Sequence, residues 1–189
     1  MKHNMKSLTV LVDMDDTITD LLGAWIDMLN RRHGTNVIPG DVQQWDIAKS
    51  FPSLTKEQVF DPLLCDSLWH YVRPKEGAVE TLERFIKEGH KVYIVTTSTY
   101  ETLRTKMDVV LFHYFPFLSW NNVIITGNKQ MIKGDVLIDD GVHNLIGGEY
   151  ARILMDAPHN HGFDAEGNGM VRVNSWAEIY TEVCKIAAQ

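Results

Sequence analysis

Cysteine is scarce in this 189-residue chain, where Cys65 and Cys184 are the whole complement. Two cysteines are too few for a disulfide framework and show no metal-ligand spacing, so both are expected to be reduced and structural. Long hydrophobic runs are missing as well. The apolar stretch near the N-terminus is too short for a signal peptide and no later one approaches a membrane span, which points to a cytoplasmic protein. Positive charge is in deficit: 18 Lys and Arg against 25 Asp and Glu leave a formal net charge of −7. No basic field is therefore available for a nucleic-acid polymer or an anionic membrane, although a few local cations and a metal can hold a small anion. Internal repeats and low-complexity tracts are absent too. The hydrophobic content of 44% is enough for a sizeable core, most simply one domain with an insertion. Composition does not fix the oligomeric state and leaves a homodimer open.

What the chain does have is a stretch, Leu8 to Asp20, in which an apolar run ends abruptly in carboxylates and threonines. Leu8 to Val12 suits a central parallel strand covered on both faces. Asp13 and Asp15, two residues apart, project to the same side if the extended conformation persists, at the carboxyl edge where open α/β sheets bind ligands. Two close carboxylates repel each other unless a cation lies between them or one stays protonated. A hard divalent ion such as Mg²⁺ prefers this oxygen chemistry and commonly also touches a substrate phosphate. Asp20 reads instead as the N-cap of the next helix.

That helix runs to about Arg32, with His33-Gly34 as its stop. Residues 34–54 lose periodicity, and 55–71 read as one or two short helices divided at Asp61-Pro62. An amphipathic helix follows over Glu76 to Glu88. Strands are expected at Val92–Val95, Val123–Ile125, Val136–Ile138 and Ile153–Met155. Ser98 with Glu101 predicts a capped helix through about Tyr114, and Ser175 with Glu178 starts the last one. Strands alternating with helices indicate an α/β fold, a doubly wound parallel sheet. Residues 1–19 and 76–189 would form the core and 20–75 a helical cap inserted after the first strand.

Four strand ends carry polar residues: Asp13 and Asp15, Thr96 and Thr97, Lys129, and Asp139 with Asp140. In order, DMDDT, VTT, Lys129 and IDD resemble the four motifs of the haloacid-dehalogenase (HAD) superfamily of phosphatases, which implies a Rossmann-like core. With DMDDTITD, VTTS, a Lys ten residues before the paired Asp and a cap after the first motif, the chain is similar to the 5'(3')-deoxyribonucleotidase family over essentially its whole length. The resemblance implies Asp13 as nucleophile, Asp15 as general acid/base, Thr96 and Lys129 as phosphate ligands, Asp139 as a Mg²⁺ ligand and Asp140 as its support. Thr97 and Ser98 are second choices as phosphate donors. Asp16 stands where many such enzymes have Gly, and Leu21 where the mammalian relatives carry a base-stacking Phe.

The chemistry is coherent on its own terms. A phosphomonoester dianion resists an anionic nucleophile, so Asp13 needs Mg²⁺ and Lys129 to neutralise the phosphoryl oxygens before it forms an aspartyl-phosphate. Asp15, bound to the metal only through its carbonyl, would protonate the leaving oxygen and then deprotonate water. Trp45 and Trp69 are candidates to stack a nucleobase, Trp69 in an apolar helix reading more as core; Trp25 and Trp176 read as core. His159 and His161 form an HxH pair to which no role is assigned. The leading expectation is thus a Mg²⁺-dependent phosphatase of nucleoside monophosphates. Another small phosphomonoester, a receiver domain and a catalytically silent binding protein on the same scaffold are its alternatives.

Overall fold

The computed structural model describes residues 6–189; the first five residues of the expected core, with part of the N-terminal segment read above, lie outside the described residues. Six parallel strands form one sheet in the order β3-β2-β1-β4-β5-β6. They are β1 (Thr9–Val12), β2 (Lys91–Thr96), β3 (Val123–Ile125), β4 (Val136–Asp139), β5 (Ala151–Met155) and β6 (Val171–Val173). Strand alternation divides their side chains between two apolar layers. Val10, Val12, Ile94 and Ile138 join the larger cluster, and Leu11, Val95, Leu137 and Leu154 the smaller one. The central strands are therefore buried on both faces, which accounts for their nearly unbroken apolar sequence.

The helices are α1 (Leu21–His33), α2 (Lys56–Phe60), α3 (Asp66–Trp69), α4 (Ala78–Lys87), α5 (Leu103–Thr105), α6 (Phe112–Tyr114), α7 (Val142–Leu145) and α8 (Trp176–Ala187), with a π-helical stretch, Lys106–Leu111, between α5 and α6. Leu82 and Phe85 of α4, Met107 and Val110 of the π stretch, and Ile179 and Val183 of α8 pack into the larger layer. The opposite face is thinner, covered by Leu145 of α7 and by loop residues such as Phe163 and Met170.

Residues 20–75 leave and rejoin the sheet at one place. Thr19 and Pro74 form an antiparallel bridge, Asp20 N donates to Arg73 O (2.8 Å) and Lys75 N to Ile18 O (2.9 Å). The insertion thus has a narrow neck directly after β1, and its apolar residues Trp25, Ile47, Phe51, Val59 and Leu68 continue the larger core layer.

One expectation needs correction. The Ser98–Glu101 pattern does not cap a helix: Ser98 Oγ turns to Thr99 O (3.3 Å), and α5 starts only at Leu103, after Thr102. The strand-end loop is drawn toward the insertion instead, Thr102 Oγ1 donating to Leu63 O (3.2 Å). The short edge strand β6 was not anticipated, because three residues carry no usable periodicity.

At α1, Asp20 caps as expected, its carboxylate accepting from Gly23 N (3.0 Å), and Gly34 ends the helix in the left-handed conformation. Replacing Asp20 by Ala is expected to cost about 1 kcal/mol of stability in denaturant titration, with little effect on any chemistry at the sheet edge.

Candidate active site

The strand order reverses between β1 and β4, and a crevice at the carboxyl ends opens at such a switch point. Asp13 follows β1 and Asp139 ends β4; the two neighbours are tied by Asp13 N donating to Ile138 O (2.9 Å). The chain then turns tightly, with Ile18 N and Thr19 N both donating to Met14 O (3.1 Å). Within this turn Asp16 has φ +58°. That left-handed backbone costs a non-glycine residue roughly 1–2 kcal/mol, Asp being among those that bear it best. A glycine, which the resemblance leads one to expect here, adopts it freely. Asp16 Oδ1 accepts from Leu22 N (2.8 Å), satisfying a free donor at the start of α1.

Lys129, 2% exposed on the turn after β3, binds Asp13 Oδ1 and Asp139 Oδ2 with one ammonium, the latter at 2.7 Å. Gly141 N (2.8 Å) and Asn144 Nδ2 (3.0 Å) donate to the other Asp139 oxygen. Asp140 accepts from Thr17 Oγ1 (3.2 Å) and lies 3.2 Å from His159 Nε2. Burial, and then the neighbouring Asp139 charge, push the Asp13 carboxyl well above its ordinary pKa, against the pull of Lys129. Burial also raises Asp139. Burial works against the Lys129 ammonium, but Asp13 and Asp139 outweigh it and its pKa is raised. Burial likewise opposes the His159 imidazolium, and the Asp140 hydrogen bond and charge overcome it, so that pKa rises too.

Asp13, Asp139 and Asp140 are all buried and bring carboxylate oxygens within 4.8 Å of one another. An all-oxygen donor set carrying excess negative charge fits a hard divalent cation.

A cavity of about 390 Å³ opens over this edge. Asp13, Asp15, Asp140, Lys129 and Thr97 border its floor, and Leu21, Trp25, Trp45, Ile47 and Phe60 of the insertion its walls. Thr96 is fully buried, its hydroxyl taken up by Lys106 Nζ at 2.9 Å, so the threonine on the cavity surface is Thr97. Ser98 is not among the lining residues. Trp45 is 59% exposed and meets the rings of His143 (4.5 Å) and His159 (5.1 Å) edge-on. Trp69 does not line the cavity: it is 3% exposed in the core, so stacking on it is ruled out by its packing. Trp176 is core, whereas Trp25, expected there, is 8% exposed and also forms part of the wall. His159 and His161 do not act as a pair, since His161 Nε2 lies 2.9 Å from Asp156 Oδ2. His143, Asn144 and Lys106 escaped the sequence reading; the place of Asn144, five residues after Asp139, was the one available hint.

Comparison with known proteins defines the class first. The solved structure of an HAD family hydrolase from Deinococcus radiodurans R1, with bound phosphate and sodium, superposes with TM-score 0.65 at 14% identity, over 98% of this chain and 98% of that one. The fold is therefore that of an HAD hydrolase. Residues 6–189 match the family model "5' nucleotidase, deoxy (Pyrimidine), cytosolic type C protein", and the chain belongs to this family. A 5'(3')-deoxyribonucleotidase of Bacillus subtilis (strain 168) is 37% identical over 172 residues, 90% of this chain and 95% of that protein. One from Clostridium acetobutylicum is 28% identical over 92% and 93% of the respective chains. Among the described residues no helix is long and apolar enough to cross a membrane.

Asp16 supplies a test of the site's electrostatics. Its enclosed carboxyl is raised to about 8, chiefly by burial and then by Asp140. The folded state therefore holds this proton up to about pH 8, whereas the unfolded chain releases it near 4. Stability from this group falls as pH rises between those values. Asp16→Asn, which keeps the acceptor for Leu22 N, is expected to be the more stable protein by upward of ~1 kcal/mol above pH 8 in chelator-treated samples. The difference should vanish toward pH 4 in urea unfolding.

Proposed function

We propose that this protein is a Mg²⁺-dependent 5'(3')-deoxyribonucleotidase, a phosphomonoester hydrolase that acts on deoxynucleoside monophosphates through an aspartyl-phosphate on Asp13. The observation that carries this reading is a single cavity with a charged floor, made by Asp13, Asp15, Lys129 and Thr97, and an apolar, aromatic wall from the insertion. A phosphate fits the floor and a sugar with its base the wall. The family membership and the names of the relatives point the same way. Two free cysteines agree with a reducing, cytoplasmic setting, and residues 20–75 act in this reading as the cap.

The metal would be held by Asp13 and Asp139, with Asp140 in support and the Asp15 carbonyl as a further donor. When bound it neutralises phosphoryl charge and helps to align the ester for in-line displacement. Asp13 attacks phosphorus, and the bond from phosphorus to the sugar oxygen breaks. Asp15 gives that oxygen its proton and the nucleoside leaves. Asp15 then takes a proton from the water that attacks the phosphorylated Asp13, which releases inorganic phosphate, frees the Asp13 carboxylate and leaves Asp15 protonated for the next cycle. Lys129, already against Asp13, balances the incoming charge, and Thr97 donates to the phosphoryl oxygens as they develop negative charge.

Leu21 lining the wall favours a second reading, a hydrolase of the same mechanism for a phosphomonoester without a base. Phosphate release from ribo- and deoxyribonucleoside 5'- and 3'-monophosphates beside sugar phosphates separates the two. Preference for deoxyribonucleotides, lost on Mg²⁺ removal and in Asp13→Asn, is the expected result, and preference for sugar phosphates contradicts it. Stacking on an aromatic side chain contributes roughly 1–3 kcal/mol, so Trp45→Ala should raise KM for a nucleotide about tenfold. KM for an aryl phosphate should change little; equal rises for both would remove Trp45 from base binding.

A further inference from the structure

Lys106 is a buried charge that the chemistry above leaves without a task. It is 1% exposed, at the start of the π-helical stretch. An ammonium has three N–H donors, and each finds an acceptor: Asp15 Oδ2 at 2.5 Å, Thr96 Oγ1 at 2.9 Å and Thr97 O at 3.0 Å. Its Nζ also stands 5.2 Å from the centre of the Trp69 ring, close enough for a cation–π contact. Taking such a charge out of water is unfavourable, and an apolar side chain of similar length would fill the space without that cost. All three acceptors lie at the catalytic edge of the sheet. The other Asp15 oxygen, Oδ1, is buried without a hydrogen-bond partner, on a residue that lines the cavity. The two oxygens of Asp15 are thus held differently, one fixed and one free. Helix irregularities of the π type concentrate at functional sites.

We infer that Lys106 is a positioning residue: it fixes Asp15 by Oδ2, leaves Oδ1 without a protein partner, and with the same ammonium anchors the end of β2, so that Asp15 is held in place for the leaving oxygen of the ester. The inference rests on the acid–base reading of Asp15 given above. As Asp15 passes its proton to the leaving group, negative charge grows on a carboxylate already in contact with a fixed cation, so the interaction strengthens along the reaction coordinate. A Lys106 that served only to hold the fold would affect all substrates alike.

The test compares wild type, Lys106→Met and Asp15→Asn on a nucleoside 5'-monophosphate, whose alkoxide leaving group needs a proton, and on 4-nitrophenyl phosphate, whose phenolate leaves without one. The readout is kcat/KM, which reports the steps up to departure of the leaving group. For Lys106→Met the nucleotide value should fall about 100-fold, within the range of general acid catalysis, and the aryl phosphate value far less. Equal losses on the two substrates, or no loss on the nucleotide, overturn the inference. Asp15→Asn should show the same selectivity; if it does not, the acid role of Asp15 fails and this inference fails with it, while wild-type nucleotide hydrolysis still stands. Lys106→Gln retains two N–H donors and is measured in parallel, so that the same comparison decides the matter if Lys106→Met does not fold.

Discussion

Mutual repulsion among the carboxylates at the ends of β1 and β4 is the constraint on which the rest of this structure depends. Asp13, Asp139 and Asp140 come together because the two strands lie side by side and parallel, and because the chain turns immediately after each. Burial makes the problem worse, since it removes the water that would otherwise screen them. Lys129 answers it in part, by placing one buried ammonium between Asp13 and Asp139. Buried charge clusters are poor sources of stability. Their place at the switch point of a parallel sheet is where open α/β sheets bind ligands.

The surroundings follow from that requirement. Thr17 donates to one oxygen of Asp140, and Gly141 and Asn144 to one oxygen of Asp139, which fixes the direction of both carboxylates. A second buried ammonium, Lys106, contacts Asp15 as Lys129 contacts Asp13. The insertion closes the cavity with apolar and aromatic side chains, and Trp45 reaches across to the two histidines beside the acidic cluster. A site that is charged at its floor and apolar at its wall can neutralise a phosphate and still hold the rest of the molecule by burial.

Much of this was legible in the sequence because strands buried on both faces leave unbroken apolar runs, and the residues after them stand out as abrupt polar breaks. Asp13, Asp15, Lys129, Asp139 and Asp140 could be grouped on that basis without coordinates. Which threonine faces the cavity could not, because Thr96 and Thr97 differ only in the side of the strand end from which they project. Lys106 follows no apolar strand, so nothing in its local sequence sets it apart from a surface lysine. Its burial comes from contacts distant in the chain, with Asp15, with Thr96 and Thr97 at the end of β2, and with the Trp69 ring. The contacts of Trp45 with His143 and His159 join residues about a hundred positions apart, and no local pattern records them. Asp16 was visible as an odd residue in the first motif, and its left-handed backbone explains why glycine is the easier occupant.

The central claim is that Asp13 becomes covalently phosphorylated during turnover. Acid quenching of the protein in steady state with a deoxynucleoside monophosphate and Mg²⁺, followed by peptide mass mapping, tests it directly. The account predicts one added phosphoryl group on the peptide that contains Asp13, removable by hydroxylamine as an acyl phosphate should be and absent from Asp13→Asn. Steady phosphate release with Asp13 unmodified, or with the phosphoryl group on another residue, would contradict it.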